Sequence, residues 1–341
     1  MSTYLNSRAG HNLIAAAIAA LAVNPAYAHH GGVSAAFGPG AAIETSSPLT
    51  LPAGKFLIFE RVEISPFEKF NDARDIGGND KFTFTNTMFG LGLRDDLSLY
   101  MSIPYAKKEL INDTTSQGFG DLNFILQYGF KYGARDGIKD WYSLDGDDTN
   151  GKEHTLKEWK FGISAGMTLP SGDINNTDST GATYSVGTQT GFAVASYNVT
   201  GIVSKMFLPH WTWAADVQFR TFELNGGSGG GKPGNEMRVN NALIYEIFEK
   251  KGGAVSRVDL VGEVNYLHLD KDMDENRISD DATGGDMIYL SPGVRISFKD
   301  KYSLGMLYKN VVTKSLNNED QQQGGEGLED YRFITTLSAV F

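Results

Sequence analysis

The chain has 341 residues, a formal net charge of −11 and no cysteine. The acidic balance excludes the basic surface that nucleic-acid binding needs, and the lack of cysteine excludes disulfide bonds as a source of stability. After the N-terminal region, no segment approaches the run of about 18 apolar residues that a transmembrane helix needs.

The first 28 residues have the three parts of a secretory signal peptide. Arg8 supplies the positive charge, residues 13–23 form the apolar part, and Ala26-Tyr27-Ala28 provides a small-x-small cleavage site. The apolar part is too short to span a membrane, which disfavours the alternative of an N-terminal anchor. We therefore predict residues 1–28 as a signal peptide and His29 as the mature N-terminus.

Residues 29–53 follow, rich in Ala, Gly, Pro and Ser and without a strand pattern. They predict either a periplasmic N-terminal segment or a plug inside a barrel. The α-amine and imidazole of His29 would form a chelate suited to copper(II), and His30 would add a ligand. The alternative is a flexible polar terminus without metal, since two histidines fix no coordination geometry. We expect no other cofactor.

From residue 54 to residue 341, apolar and polar residues alternate in runs of about ten, as in strands that face lipid outside and a polar lumen inside. Most connections alternate between short ones and long ones rich in Gly, Asp and Asn, which is typical of periplasmic turns and extracellular loops. We therefore predict an all-β fold, a transmembrane antiparallel up-and-down barrel of about twelve strands. The predicted strands are 54–65, 81–93, 97–108, 119–132, 159–169, 191–206, 211–224, 237–249, 255–269, 286–298, 302–314 and 331–341.

Three features depart from this pattern. Glu60 falls among apolar residues of the first strand, and the phase of the second strand flips near Met88–Phe89, which predicts a β-bulge there. Residues 133–158 form a long connection where a short periplasmic turn is expected. A soluble β-sandwich is the alternative fold, but its strands need not be this long and its loops need not alternate in length.

The last strand places Tyr331, Phe333 and Phe341 on one apolar face, opposite a largely polar one. A terminal aromatic strand of this kind resembles the assembly signal of outer-membrane barrels in Gram-negative bacteria. We expect it to be recognised by the barrel assembly machinery and to close the barrel against the first strand.

The predicted inward faces carry more basic than acidic side chains, although the whole chain is acidic. A mildly basic lumen favours anionic or aromatic-carboxylate solutes. The alternative is that these charges pair across strands and fill the barrel, since a twelve-stranded bore is small. The candidate lumen residues are Arg61, Asp121, Lys131, Asp216, Arg220, Arg257, Asp259, Glu263, Arg295 and Arg332.

Two acidic loops are most simply interpreted as solvated turns. Residues 145–151 loosely resemble a calcium loop, but Leu156 stands where the bidentate Glu is needed. Acidic residues between Asp270 and Asp281 would lie in an outer loop, where they are either solvated or bind divalent cations with lipopolysaccharide.

The residues do not predict an enzyme. A barrel-rim phospholipase needs a His and a Ser oriented by a third polar group, but the residue two positions after His268 is Asp270.

Several short motifs resemble an outer-membrane transporter family named for the meta-pathway of phenol degradation. They are Gly38-Pro39-Gly40, Ile43-Glu44-Thr45, Pro48-Leu49-Thr50-Leu51-Pro52, Gly118-Phe119-Gly120-Asp121-Leu122, Gly166-Met167-Thr168-Leu169-Pro170-Ser171-Gly172-Asp173, Gly187 to Gly191 and Leu290-Ser291-Pro292-Gly293. The resemblance covers most of the mature chain. It implies a meta-pathway-type β-barrel that passes small, often hydrophobic molecules, and it brings no catalytic motif.

We therefore predict a channel or transporter in the outer membrane of a Gram-negative bacterium. Its expected partners are outer-membrane lipid, lipopolysaccharide, the assembly machinery and a small hydrophobic or anionic solute. Two alternatives remain, a copper-capturing protein that uses His29 and His30 and a structural barrel without conductance.

Overall fold

A computed structural model describes residues 41–66, 81–110, 114–133, 137–140, 158–177, 180–181, 189–224, 231–274, 276–281, 283–317, 329 and 331–341. The strands in these ranges are β1 Phe56–Pro66, β2 Lys81–Arg94, β3 Leu97–Leu110, β4 Thr114–Phe119, β5 Asn123–Gly133, β6 Gly137–Asp140, β7 Glu158–Thr168, β8 Ser196–Leu208, β9 Trp211–Phe222, β10 Gly231–Lys232, β11 Glu236–Glu249, β12 Arg257–Leu269, β13 Met273–Asp274, β14 Gly285–Phe298, β15 Tyr302–Leu316 and β16 Tyr331–Val340. No helix in the described ranges is long and apolar enough to cross a membrane.

The strands form a closed antiparallel barrel of 12 strands, which confirms the predicted fold class. β4 and β5 both pair with β3 and act as two pieces of one barrel strand. β16 pairs with β1 from Leu57↔Val340 to Ile64↔Phe333. This pairing joins the first and last barrel strands, so neither of them is left as a free sheet edge at the seam.

The closing seam is extended by the terminal residue. The amide of Phe341 donates to the carbonyl of Phe56 at 2.9 Å, and the amide of Phe56 donates back to the carbonyl of Phe341 at 3.2 Å. The Phe341 side chain is exposed on the outer surface, as is that of Phe333. The ring of Tyr331 lies 5.2 Å from that of Tyr308 on the neighbouring strand.

The two faces of the barrel wall differ in the way the alternation predicts. Outward side chains such as Ile163 and Leu290 are 54% and 53% exposed, whereas the inward Arg295 and Ser291 are fully buried. At the end that carries the short turns, the rings of Trp211 and Tyr245 lie with their centroids 4.6 Å apart and their planes tilted by 36°. An apolar belt bordered by aromatic rings is the surface that lipid requires of a barrel.

The predicted β-bulge at Met88–Phe89 is wrong. β1 and β2 keep one register from Phe56↔Leu91 to Pro66↔Lys81, and the irregularity lies between Gly92 and Arg94, where β2 pairs with β3. The alternation of apolar and polar residues changes phase in the sequence because this part of the inner wall is itself apolar. The buried apolar side chains of this wall sector are Leu57, Phe59, Phe82, Phe84, Met88, Tyr100 and Ile125, and Leu51, which precedes β1, packs against several of them.

Two predicted strand boundaries also need correction. The fourth predicted strand, 119–132, begins earlier, at Thr114, and is interrupted at residues 120–122. The sixth, 191–206, begins only at Ser196. The amide of Gly191 instead donates to the carbonyl of Asp173 at 2.9 Å, which holds this stretch against the preceding loop.

Candidate functional site

Residues 41–52, which we call the luminal segment, lie inside the barrel and are buried throughout. The segment is joined to β1 at the short-turn end, where the amide of Gly54 donates to the carbonyl of Gly92 at 2.8 Å. From there it passes the inner faces of β5 and β9 and reaches those of β12, β14 and β15. It therefore crosses the width of the lumen, although its sequence has no strand periodicity.

Glu263, on the inner face of β12, holds the N-terminal half of the luminal segment. Its carboxylate accepts the amides of Ile43 at 2.8 Å, Glu44 at 2.9 Å and Thr45 at 2.7 Å. It also accepts the Thr45 hydroxyl at 2.6 Å. Hydrogen bonds to an ionised acceptor are stronger than neutral ones. One wall carboxylate therefore satisfies four donors of the segment.

A second wall carboxylate continues this attachment. Asp216 on β9 accepts the amide of Ser46 at 2.6 Å and the side-chain amide of Asn240 at 2.9 Å. Asn240 in turn accepts from Asn265 at 3.1 Å. The Asn240–Asn265 pair thus holds the carboxylate oxygen of Asp216 that does not accept from Ser46.

Uncharged wall side chains bind the other half of the segment. The side-chain amide of Gln127 donates to the carbonyls of Ser47 at 3.0 Å and Leu49 at 2.8 Å. The hydroxyl of Ser98 accepts the amide of Leu51 at 2.7 Å. Backbone groups shut away from water need such partners, because leaving them unpaired costs free energy.

Glycines in the wall make room for the segment. A Cβ at Gly92 would lie 1.9 Å from the carbonyl oxygen of Pro52, and one at Gly129 would lie 2.7 Å from that of Pro48. Glycine within a strand often marks the close approach of another backbone. The inner wall is therefore shaped to the path of this segment.

Glu44 is the charged side chain of the luminal segment, and two wall cations bind it. Arg61 on β1 donates from Nη2 to one carboxylate oxygen, and Nζ of Lys309 on β15 lies 3.1 Å from the other. Arg61 also donates to Glu63 at 2.5 Å, and Glu63 accepts from Arg332 at 2.8 Å. A chain of alternating charges thus runs from the segment into the wall.

Arg295 completes the contacts at the far end of the segment. Its Nη2 donates to the carbonyl of Ala42, and its Nη1 donates to the hydroxyl of Ser303 at 3.0 Å. The side chain of Ile43 packs nearby against Gly293 and Gly305, where an added Cβ would approach it to 3.0 Å and 3.3 Å.

Only some of the predicted lumen residues contact the luminal segment. Arg61, Asp216, Glu263 and Arg295 bind it directly, and Arg332 acts through Glu63. The others, apart from Asp121, pair within the wall. These pairs are Lys131 with Glu158 at 3.4 Å, Arg220 with Glu236 at 3.6 Å and Arg257 with Asp259 at 2.8 Å.

Asp121 has a different position from the predicted one. It lies in the interruption between β4 and β5 and accepts the amides of Gly172 and Phe192, each at 2.8 Å. It therefore joins three loops at the long-loop end of the barrel.

Sequence reasoning did not identify Glu44, Gln127 or Ser98 as site residues. Of these three residues, only Glu44 had a signal in the sequence, and it was indirect: Glu44 lies in one of the motifs that resemble the transporter family. The predicted signal peptide, the predicted copper ligands His29 and His30 and the acidic loop 145–151 lie outside the described residues. Within the described ranges, no group of three His, Cys, Asp or Glu side chains could hold a metal ion.

No protein-family model matches the sequence, and no curated protein matches it. Among solved structures, the chain is similar to the COG4313 outer membrane channel from Pseudomonas putida F1, with a TM-score of 0.59 and 14% identity over 86% of this chain and 98% of that chain. The NanC porin is similar over 83% of this chain and 98% of its own, with a TM-score of 0.43 and 8% identity. The beta domain of the Bordetella autotransporter BrkA also has a TM-score of 0.43, with 11% identity over 85% of this chain and 100% of that chain. The last two likenesses are too weak to support an argument, and the first shows a shared fold.

Proposed function

We propose that this protein is an outer-membrane channel of a Gram-negative bacterium, that it passes a small hydrophobic or anionic solute, and that the luminal segment closes it. The observation that carries the proposal is the complete burial of residues 41–52 among wall side chains. The apolar outer belt supports placement in a membrane. The fold shared with an outer membrane channel is consistent with passage of solutes.

The attachment of the segment is suited to reversible closure. The described contacts between segment and wall are hydrogen bonds, ion pairs and apolar packing, each of which can be exchanged for water in an open lumen. Release of the segment would leave the wall pairing of β1 with β16 and β2 unchanged. Opening therefore need not disturb the barrel itself.

The two kinds of inner surface suit the two solute classes. The sector around Phe59, Met88 and Tyr100 is apolar, whereas Arg61 and Lys309 carry positive charge on the inner face. A solute with an apolar body and a negative group would find a complement on each side. Such a barrel needs lipid and lipopolysaccharide around its outer surface, and it needs the assembly machinery during biogenesis.

A reversible covalent lock tests whether the segment is the gate. A Cβ at Gly162 would lie 3.3 Å from the Cβ of Pro48, close to the separation of about 3.5–4.5 Å found in disulfides. The chain has no cysteine of its own, so Pro48→Cys with Gly162→Cys gives a single defined bridge. We expect no single-channel steps in planar bilayers under oxidising conditions and a return of steps on reduction.

The single variant Gly162→Cys is the matched control, since it changes the wall without a bridge. If the oxidised double variant conducts as the reduced one does, the segment is not the gate. If neither the variants nor the parent conduct, the alternative of a structural barrel is favoured. That alternative draws support from the ion pairs that join Arg61, Glu63 and Arg332 across the inner wall.

A further inference from the structure

We infer that Arg61 and Lys309 form a binding site for a carboxylate solute and that Glu44 occupies this site in the closed state. The inference rests on the proposed function and deepens it by naming the solute class and the residues that recognise it. In this arrangement the Glu44 carboxylate occupies the position that the solute carboxylate would take. Solute and segment therefore compete for one site.

The geometry around Glu44 is that of a bound carboxylate. Each of its two oxygens has its own cation, Arg61 on one and Lys309 on the other at 3.1 Å. The three side chains are at most 4% exposed. Arg61 and Lys309 belong to strands separated by β16, yet they converge on a group that belongs to neither strand. Two cations that converge on a removable carboxylate constitute a site for any carboxylate of suitable shape.

The site keeps its form when Glu44 leaves. Arg61 is bound at Nε by Glu63, which is bound in turn by Arg332, and Arg332 also pairs with Glu329. These contacts lie within the wall and its loop and do not involve the segment. The guanidinium is therefore held in place for an incoming ligand, which reduces the free-energy cost of binding.

Tyr289 indicates the shape of the solute. Nζ of Lys309 lies 4.3 Å from the centroid of the Tyr289 ring, which is buried on the same inner wall. Leu267 and Met287 pack beside that ring. A flat apolar body attached to a carboxylate would meet the ring and these side chains while its charge meets Lys309. A small aromatic monocarboxylate fits this combination.

Charge balance couples the solute to the segment. Removal of Glu44 from the lumen would leave Arg61 and Lys309 with one carboxylate fewer, so the inner wall there would attract an anion more strongly. A solute carboxylate restores the balance, so its binding favours the released segment. Because solute and segment compete, a substitution that weakens binding of the segment by a given factor strengthens solute binding by up to that factor.

Glu44→Gln in the full mature chain tests this directly, because the amide keeps the size of the side chain and removes its charge. Benzoate is the probe, and benzyl alcohol and benzylammonium are neutral and cationic probes of the same shape. By calorimetry we expect benzoate to bind the variant about tenfold or more tightly than the parent, the factor that one charge-assisted contact supplies. In bilayers the variant should also become more selective for anions.

Lys309 provides the second half of the test. Glu44→Gln with Lys309→Met should lose the gain in benzoate affinity, whereas Glu44→Gln with Lys309→Arg should retain most of it. Resistance of the barrel to unfolding in detergent, measured by its mobility on gels, shows that each variant is folded. If Glu44→Gln fails this check, Lys309→Met alone must still weaken benzoate binding.

Three results would overturn the inference. These are equal benzoate affinity in parent and Glu44→Gln, equal affinity for benzyl alcohol, or displacement of benzoate by an equal concentration of chloride. The last would indicate a general anion site. Conductance without benzoate binding would refute this inference and leave the channel in place, whereas benzoate binding without conductance would refute the channel.

Discussion

Glu263→Gln is the substitution that most directly tests how the luminal segment is held. In the parent, one oxygen accepts the amides of Ile43 and Glu44, and the other accepts the amide and hydroxyl of Thr45. A glutamine amide nitrogen cannot accept hydrogen bonds. Whichever way the new amide is oriented, two of the four donors therefore lose their acceptor, and the charge that strengthened the others is gone.

The size of the effect follows from these contacts. A hydrogen bond to a charged group contributes about 1.5–3 kcal/mol, so loss of two costs about 3–6 kcal/mol of segment binding. Because each 1.4 kcal/mol is about a factor of ten, the released population should rise by about 10²–10⁴. Stability of the barrel should change little, since the backbone pairing of β12 with β11 and β14 does not use the Glu263 side chain.

Thiol labelling measures the released population. Ser46→Cys places a single thiol in a buried part of the segment, in a chain that has no other cysteine. When opening and closing are fast, the labelling rate follows the fraction of open molecules. We expect labelling with a membrane-impermeant maleimide to be at least about a hundredfold faster when Glu263→Gln is added.

Glu60→Gln is the matched control, because Glu60 faces outward and accepts only the Thr87 hydroxyl at 2.7 Å among its described contacts. It removes the same charge from the wall without touching the segment, so its labelling rate should equal that of the parent. A folded Glu263→Gln protein whose thiol reacts no faster than the control would refute the idea that this carboxylate holds the segment.

Two further predictions concern the wall. Gly129→Val should raise the open probability in bilayers, because its Cβ would lie 2.7 Å from the Pro48 carbonyl; Gly201→Val, where an added Cβ meets nothing within 4 Å, should not. Equal open probabilities would mean that the glycine contacts do not position the segment. Glu60→Leu should raise the urea midpoint of unfolding, since a carboxylate on the outer face of β1 is costly in lipid, and Glu60→Gln should fall between it and the parent. A lower midpoint for Glu60→Leu would show that the bond to Thr87 outweighs the cost of the charge.

The sequence by itself determined the barrel, because lipid outside and a polar lumen inside impose a period of two that is visible residue by residue. That pattern predicted the strand count and most strand positions. It failed where the inner face is apolar, as at Phe82, Phe84 and Met88, since hydrophobicity there no longer distinguishes inside from outside. Several inward charges were also predictable, because a strand that alternates fixes the side on which Arg61, Glu263 or Arg295 lies.

Only the tertiary structure decided what those charges bind. The partners of Glu263 lie about 220 positions earlier in the chain, at Ile43 to Thr45. Their contacts are individual hydrogen bonds from an irregular backbone and leave no periodic trace in the sequence. Asp121 likewise lies where β4 and β5 separate because the amides of Gly172 and Phe192 bind it there. Alternation along a strand is a local property, whereas the occupant of the lumen depends on which distant segment the closed wall can accommodate.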